Sequence, residues 1–287
     1  MPLDSIAEIL ASCSERNLAF WQVVLEADVE ERQVSAGASF DKMRATWRAM
    51  LDSAESYDGG LRSVSGLSGG DGELMRRYAA GGSALGGGYI SEVIATALCV
   101  GESNACMRKI VAAPTAGACG VLPAVLVPLY RRGEREEDIL RALYTAAGIG
   151  AVINSRASIS GAAGGCQAEI GSASAMAAGA LAQLRGGGPE QTANALAMAL
   201  KNLMGLICDP VAGLVEVPCV KRNVIGAVNA VSCADMALAG ITSRIPADEV
   251  IDCMGIVGER LPREFRETAR GGLAATPTGR AAWKQLK

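Results

Sequence analysis

The sequence predicts an all-α protein, a compact multi-helix domain with glycine-rich loops at the helix ends. Residues 170–184 and 189–204 consist almost entirely of residues that favour helices. Apolar residues near the N-terminus recur at the spacing of one helix face. Runs of alternating β-branched residues, which would predict strands, are scarce. We therefore expect a single domain over residues 1–287, in which residues 1–80 form a more charged helical subregion.

Capping residues and helical periodicity mark the first elements. Ser5 and Glu8 form a capping-box pattern, in which a hydroxyl and a carboxylate satisfy free backbone amides at a helix start. A second amphipathic helix is expected to begin after Ser39, because the apolar residues that follow would share one face. Residues 65–71 are rich in glycine and serine, which predicts a loop. The residues on the shared face are Met43, Trp47, Met50, Leu51 and Ala54.

Prolines mark the boundaries of later helices. Pro189 and Pro246 each precede acidic residues. Proline suits the first helical turn, where carboxylates also interact favourably with the helix dipole. Asp209 and Pro210 are expected to end a helix just after Cys208.

Residues 110–130 form an uncharged segment that is long enough to raise the question of a membrane span. Pro114, Pro123 and Pro128 lie within it, and each removes a helical hydrogen bond. We interpret the segment as a buried loop followed by a helix, with no membrane contact. The N-terminus lacks a signal-peptide pattern, and nine cysteines are too few for a disulfide scaffold. A reducing, cytoplasmic location is expected.

Charge and histidine content exclude several classes of function. The chain has 27 lysine and arginine residues against 30 aspartate and glutamate residues, a net charge of −3 that argues against nucleic-acid binding. It contains no histidine. This excludes Ser-His-Asp and Cys-His catalysis, histidine-bound zinc and histidine as a general base, unless another chain supplies the imidazole.

Three cysteines have contexts that suit metal ligands. Cys166 follows a glycine-rich stretch and opens a predicted helix, Cys208 precedes the Asp-Pro pair, and Cys219 follows a proline. Their spacings, 42 and 11 residues, match no zinc-finger or ferredoxin pattern. From the residues alone, they are either three ordinary loop cysteines or a thiolate site for an iron–sulfur cluster, zinc or Cu(I). Most of the other six cysteines are interpreted as small buried apolar residues.

Two further segments have both a functional and a structural interpretation. Thr115, Ala116 and Gly117 form a turn that either holds a carboxylate or only connects two helices. Lys221 and Arg222 either neutralise a nearby anion or form an ordinary surface pair. The glycine-rich stretch at 160–165 lacks the Gly-Lys-Ser/Thr that a phosphate-binding loop requires.

Five segments carry a resemblance to a known family. The sequence resembles the α chain of iron–sulfur-dependent L-serine dehydratase, the two-subunit bacterial type, over nearly its whole length. The matching segments are SGLSGGD at 65–71, AAPTAG at 112–117, SISGAAGGCQAEIG at 158–171, KNLMGLICDPVAGLVEVPCVKRN at 201–223 and RETARGGLAATPTG at 266–279.

The resemblance implies a cofactor, a substrate and a partner. Cys166, Cys208 and Cys219 would ligate a [4Fe-4S] cluster. Thr115, Ala116 and Gly117 would lie near the carboxylate of L-serine. The reaction would be the elimination of water from L-serine to give pyruvate and ammonia, without pyridoxal phosphate.

The chain lacks the Ser-Ser-His-Thr-type segment of single-chain relatives, so a separate β chain is expected to supply an acid–base histidine. Lys221 is the weaker candidate for the base. An oligomer is expected. The alternatives are the same cluster chemistry on L-threonine or L-cysteine, or a non-catalytic cluster-binding subunit.

Overall fold

A computed structural model describes residues 4–286. In this range the chain forms thirteen α-helices, short 3₁₀ turns and one π-helix, with a single isolated bridge between Cys208 and Arg266 in place of any sheet. The all-α prediction is confirmed. The helices are α1 Ile6–Arg16, α2 Phe20–Arg32, α3 Ala36–Glu55, α4 Asp71–Ala80, α5 Gly87–Ala105, α6 Val121–Arg131, α7 Glu136–Arg156, α8 Gly161–Gly164, α9 Ser172–Leu184, α10 Pro189–Asn202, α11 Cys219–Leu238, α12 Ala247–Arg260 and α13 Pro277–Gln285.

The N-terminal helices follow their serine caps. Ser5 Oγ accepts a hydrogen bond of 3.1 Å from Glu8 N, as the capping pattern predicts. The second predicted helix begins before Ser39, because Ser35 caps α3 by accepting a hydrogen bond of 3.2 Å from Ala38 N. Ser39 is instead buried inside α3. The sequence interpretation also omitted α2, which lies between the two predicted helices.

The later helix boundaries differ from the predictions by small shifts. Pro189 is the first residue of α10, as expected, whereas Pro246 is the residue that precedes α12. The expectation that the Asp-Pro pair ends a helix is wrong. The helix α10 ends at Asn202, and Gly205 then turns the chain with a φ of +86°. Cys208 therefore lies on an extended segment rather than at a helix end.

Small residues allow the helices of the core to approach one another closely. The helix α9 packs against α7, α10 and α11, and its residues are buried from Ser172 to Ala182. A Cβ atom on Gly179 would lie 2.3 Å from Ile149 Cδ1, so a larger residue there would require the Ile149 side chain of α7 to move. The alanine- and glycine-rich composition thus produces a closely packed helical core, which supports the loops of the site.

Residues 110–130 form a half-buried loop and then α6, which is buried from Val121 to Pro128. Pro123 lies in the first turn of α6, and Pro128 lies inside it. Within residues 4–286, no helix is long and apolar enough to cross a membrane.

Candidate active site around three buried cysteines

The three predicted ligand cysteines lie on three different elements and are all buried. Cys166 directly precedes the π-helix Gln167–Gly171, which continues into α9. Cys208 is fixed by the segment that contains Phe265 and Glu267, because its amide donates to Phe265 O over 2.8 Å and its carbonyl accepts from Glu267 N over 3.0 Å. Cys219 is the first residue of α11. Their exposed fractions are 2%, 3% and 8%.

The three thiols interact with one another. A hydrogen bond with Cys208 and the nearby charge of Arg222 lower the pKa of Cys166. The interaction with Cys166 and burial raise the pKa of Cys208. Burial and the negative charge of Cys166 raise the pKa of Cys219. A bound cation would favour the deprotonated form of these thiols.

The donor set suits a soft metal centre. Three buried sulfur atoms beside the Arg222 guanidinium match the ligand preference of an iron–sulfur cluster. Among residues 4–286, no three Cys, Asp or Glu side chains are arranged around one point as ligands of a single metal ion. The ligands of a cubane bind different iron atoms, so that they need no common point. The buried thiols thus fit the cluster by their chemistry and their neighbourhood.

A buried ion pair connects the segments of Cys208 and Cys219. Arg222 Nη2 donates to Asp209 Oδ1 over 2.8 Å, and Arg222 Nη1 donates to Ile207 O over 2.8 Å. Asp209 Oδ2 accepts a further hydrogen bond of 2.8 Å from Leu273 N. Arg222, the less exposed member of the predicted Lys-Arg pair, therefore holds the loop of Cys208 against α11.

Glu169 is a functional candidate that the sequence interpretation missed. Its Oε1 atom accepts a hydrogen bond of 2.7 Å from Thr115 Oγ1. A Cβ atom on Gly161 would lie 2.5 Å from Glu169 Oε2 and 3.1 Å from Cys208 Sγ, so both atoms border the same small space. Burial raises the pKa of Glu169. A carboxylate three residues after a predicted ligand cysteine was the available signal.

Asn223 is the second residue that was missed, and it fixes the turn of Thr115, Ala116 and Gly117. Its amide nitrogen donates to Gly117 O over 2.8 Å and to Cys219 O over 3.0 Å. Its amide oxygen accepts from Gly120 N over 2.8 Å. One side chain thus joins the predicted substrate turn to the start of α11.

The structure brings some of the predicted site residues together and leaves one apart. Thr115 reaches Glu169, and a Cβ atom on Gly117 would lie 3.1 Å from Glu169 Oε1. Ala116 is exposed at the start of a 3₁₀ turn, Ala116–Ala118. Lys221 points to the surface, where its ammonium group pairs with Asp71 over 2.7 Å and its side chain is 68% exposed.

The predicted loop at 65–71 is held by two buried carboxylates, Glu102 and Glu216. Glu102 is buried, and its carboxylate accepts hydrogen bonds of 3.2, 2.9 and 3.1 Å from the amides of Gly69, Asp71 and Gly72. Ser63 Oγ donates over 2.6 Å to Glu216, which lies three residues before Cys219. These hydrogen bonds join the region of this loop to α5 and to the segment that leads into α11.

The fold and the site define an all-α protein with three buried cysteines and a carboxylate at the ends of its central helices. The family model described as "Serine dehydratase alpha chain" matches residues 15–274. The chain therefore belongs to the serine dehydratase alpha chain family, a family of lyases. The resemblance read from the motifs is confirmed.

Three relatives show how far the similarity extends. A probable L-serine dehydratase alpha chain of Bacillus subtilis (strain 168) is 46% identical over 283 residues, which are 98% of this chain and 94% of the relative. The L-serine dehydratase alpha chain of Peptoniphilus asaccharolyticus is 40% identical over 96% of each chain. L-serine dehydratase 1 of Escherichia coli (strain K12) is 37% identical over 95% of this chain and 62% of its own length.

Proposed function

We propose that this chain is the cluster-bearing α chain of a cytoplasmic L-serine dehydratase, which converts L-serine to pyruvate and ammonia. The observation that carries the proposal is the buried group of Cys166, Cys208 and Cys219 beside Glu169 and Thr115. Membership of the family and the names of the relatives support the same activity.

Cys166, Cys208 and Cys219 would hold a [4Fe-4S] cluster. With three thiolate ligands the cluster would keep an iron open to the substrate and would supply Lewis-acid chemistry at its hydroxyl and carboxylate groups. Arg222 contributes positive charge near Cys166, which offsets the negative charge of the thiolates. The buried Asp209 orients Arg222 for this task.

The turn of Thr115, Ala116 and Gly117 would bind the substrate carboxylate. The 3₁₀ turn begins at Ala116, so its first amide groups have no partner within the turn and can donate to an anion. Asn223 fixes this turn from behind through Gly117 O and Gly120 N. Such fixed donors bind a carboxylate without first having to be ordered.

The reaction also requires a base for the α-proton. Loss of this proton and of the hydroxyl group as water leaves aminoacrylate, which tautomerises to an imine and hydrolyses to pyruvate and ammonia. The chain has no histidine, so we propose that a β chain supplies one to this site. Lys221 is the alternative base within this chain.

The test is to purify the chain anaerobically with its β chain and to measure iron, sulfide and the pyruvate released from L-serine. We expect iron, sulfide and pyruvate release, and we expect Cys208→Ser to lose the visible absorption of the cluster. The matched control is Cys253→Ser, because Cys253 is exposed. A wild-type complex that holds no iron after anaerobic reconstitution would refute the proposal.

Exposure to air provides a second test. An iron without a protein ligand is open to oxidants, so aeration should inactivate the complex, and ferrous iron with thiol should restore it. Full activity after prolonged aeration would contradict an open iron site.

A further inference from the structure

Glu169 is half-buried, and unlike the buried carboxylates of Asp209 and Glu102 it has neither a cationic partner nor several hydrogen-bond donors among the described residues. Asp209 pairs with Arg222, and Glu102 accepts three backbone amides. Glu169 Oε1 accepts one hydrogen bond, from Thr115, and no Lys or Arg of residues 4–286 forms an ion pair with it. One oxygen of this half-buried carboxylate accepts no hydrogen bond from a side chain in that range, and the carboxylate has no positive partner there, so the side chain is suited to receive a cation.

The position of Glu169 identifies which cation fits. Thr115 belongs to the turn that we assign to the substrate carboxylate, and its hydroxyl is 2.7 Å from Glu169 Oε1. In an α-amino acid the ammonium and carboxylate groups are attached to the same carbon atom. The protein groups that bind them must therefore be neighbours, as Thr115 and Glu169 are.

The free oxygen of Glu169 faces the side of the site that the cysteines occupy. Glu169 Oε2 and Cys208 Sγ both border the space that a Cβ atom on Gly161 would enter. A substrate bound between the Thr115 turn and the cysteines would have its ammonium group next to Glu169 and its β-carbon on the side of the thiols. This order along the site matches the order of the groups in L-serine.

We propose that the Glu169 carboxylate binds the α-ammonium group of the substrate and so restricts the site to α-amino acids. This inference rests on the proposed function. It assigns to this chain the recognition of the amino group, in addition to the cluster ligands and the carboxylate turn. Hydroxy acids and simple carboxylic acids of the same size would leave Glu169 without a cation in a site closed by the substrate and would bind weakly.

L-Alanine and propionate are the probes that test the proposal, because they differ only in the ammonium group and neither can lose water. Their dissociation constants are measured by calorimetry with the cluster-loaded complex of this chain and its β chain. We expect Glu169→Gln to weaken L-alanine binding by about 10- to 100-fold. Propionate binding should change by less than about threefold. The matched control is Glu190→Gln, an exposed carboxylate in the first turn of α10.

Three outcomes are informative. Equal weakening of L-alanine and propionate would show a structural role and would overturn the proposal. Unchanged L-alanine binding with a large loss of kcat would indicate proton transfer instead, and would also overturn it. If Glu169→Gln does not hold iron, the two probes are compared with the wild-type complex alone. This complex should bind L-alanine at least about tenfold more tightly than propionate. Equal affinities would overturn the proposal.

The proposed function is tested separately in the same samples. Release of pyruvate from L-serine by the wild-type complex shows that the dehydratase assignment holds, whatever Glu169 does. A wild-type complex with no iron and no pyruvate release would refute that assignment before the Glu169 variant is compared.

Discussion

Arg222 and Asp209 form an ion pair of 2.8 Å in which the arginine side chain is 15% exposed and the aspartate side chain is 3% exposed. The pair links the first turn of α11 to the residue after Cys208, and Asp209 also accepts a hydrogen bond from Leu273. Two of the three proposed ligand segments and the C-terminal region therefore depend on one carboxylate.

Asp209→Ala should destabilise the protein strongly, because it leaves the Arg222 charge buried without a partner. We expect the free energy of unfolding to fall by about 3–5 kcal/mol. Urea titration of the cluster-free chain measures this change. Asp252→Ala is the control, because Asp252 pairs with Arg156 at the surface and its side chain is 46% exposed. A loss of about 1 kcal/mol or less is expected there, and equal losses for the two variants would contradict our interpretation.

Glu102→Ala should disorder the loop at 65–71, because three backbone amides and the Tyr57 hydroxyl lose their acceptor. We expect a loss of about 3 kcal/mol in the free energy of unfolding. Limited proteolysis should show faster cleavage within 65–71. Glu92→Ala is the control, because it removes only an exposed pair with Arg132. Unchanged proteolysis of Glu102→Ala would show that the loop is held by other contacts.

Gly161→Ala should damage the site rather than the fold. The added methyl group would lie 2.5 Å from Glu169 Oε2 and 3.1 Å from Cys208 Sγ, so it would displace the carboxylate proposed to bind the substrate and a proposed ligand sulfur. We expect the KM for L-serine to rise by about tenfold or more. Gly188→Ala is the control, since nothing lies within 4 Å of its added Cβ atom. Equal KM values for Gly161→Ala and wild type would place the substrate elsewhere.

Lys221→Met distinguishes the two candidates for the base. The Lys221 ammonium is exposed and paired with Asp71, so we expect its removal to change stability by less than about 1 kcal/mol. Release of pyruvate should continue at a comparable kcat if a histidine of the β chain takes the α-proton. A loss of kcat of about a thousandfold, in the range of general-base catalysis, would assign the base to Lys221.

The buried thiol of Cys119 should make stability depend on alkaline pH. Burial raises its pKa from 9.0 to about 12. Above pH 9 the unfolded chain loses this proton while the folded chain keeps it, so stability is full below pH 9 and falls as the pH rises towards 12. In this window the free energy of unfolding should fall by about 1.4 kcal/mol for each pH unit. Urea midpoints measured for wild type and Cys119→Ala should therefore converge from pH 9 to 12, and a constant difference would contradict this.

The sequence predicted the helices well where one residue decides the boundary. Ser5 and Pro189 begin α1 and α10 as expected, because a cap or a proline acts within one turn. Boundaries that depend on competing signals were missed. Ser35 rather than Ser39 caps α3, and α10 stops before Gly205 although Asp209 and Pro210 lie further on.

The site was predicted in part. Sequence context singled out Cys166, Cys208 and Cys219 because each follows or precedes a glycine or proline break. Glu169 and Asn223 have no glycine or proline break that would single them out. Glu169 interacts with Thr115, 54 residues away, and Asn223 interacts with Gly117, 106 residues away. Contacts of this range are set by helix packing, which periodicity within one segment does not encode.

The π-helix Gln167–Gly171 sets the direction in which Cys166 points. A turn of this kind holds one residue more than an α-helical turn, and each residue rotates a helix by about 100°. Deleting a single residue here would restore a continuous α-helix into α9 and swing the Cys166 sulfur about a quarter-turn away from Cys208 and Cys219. The extra residue of the π-helix therefore determines the position of Cys166. A one-residue deletion there would destroy the arrangement of the three ligands although every cysteine is still present.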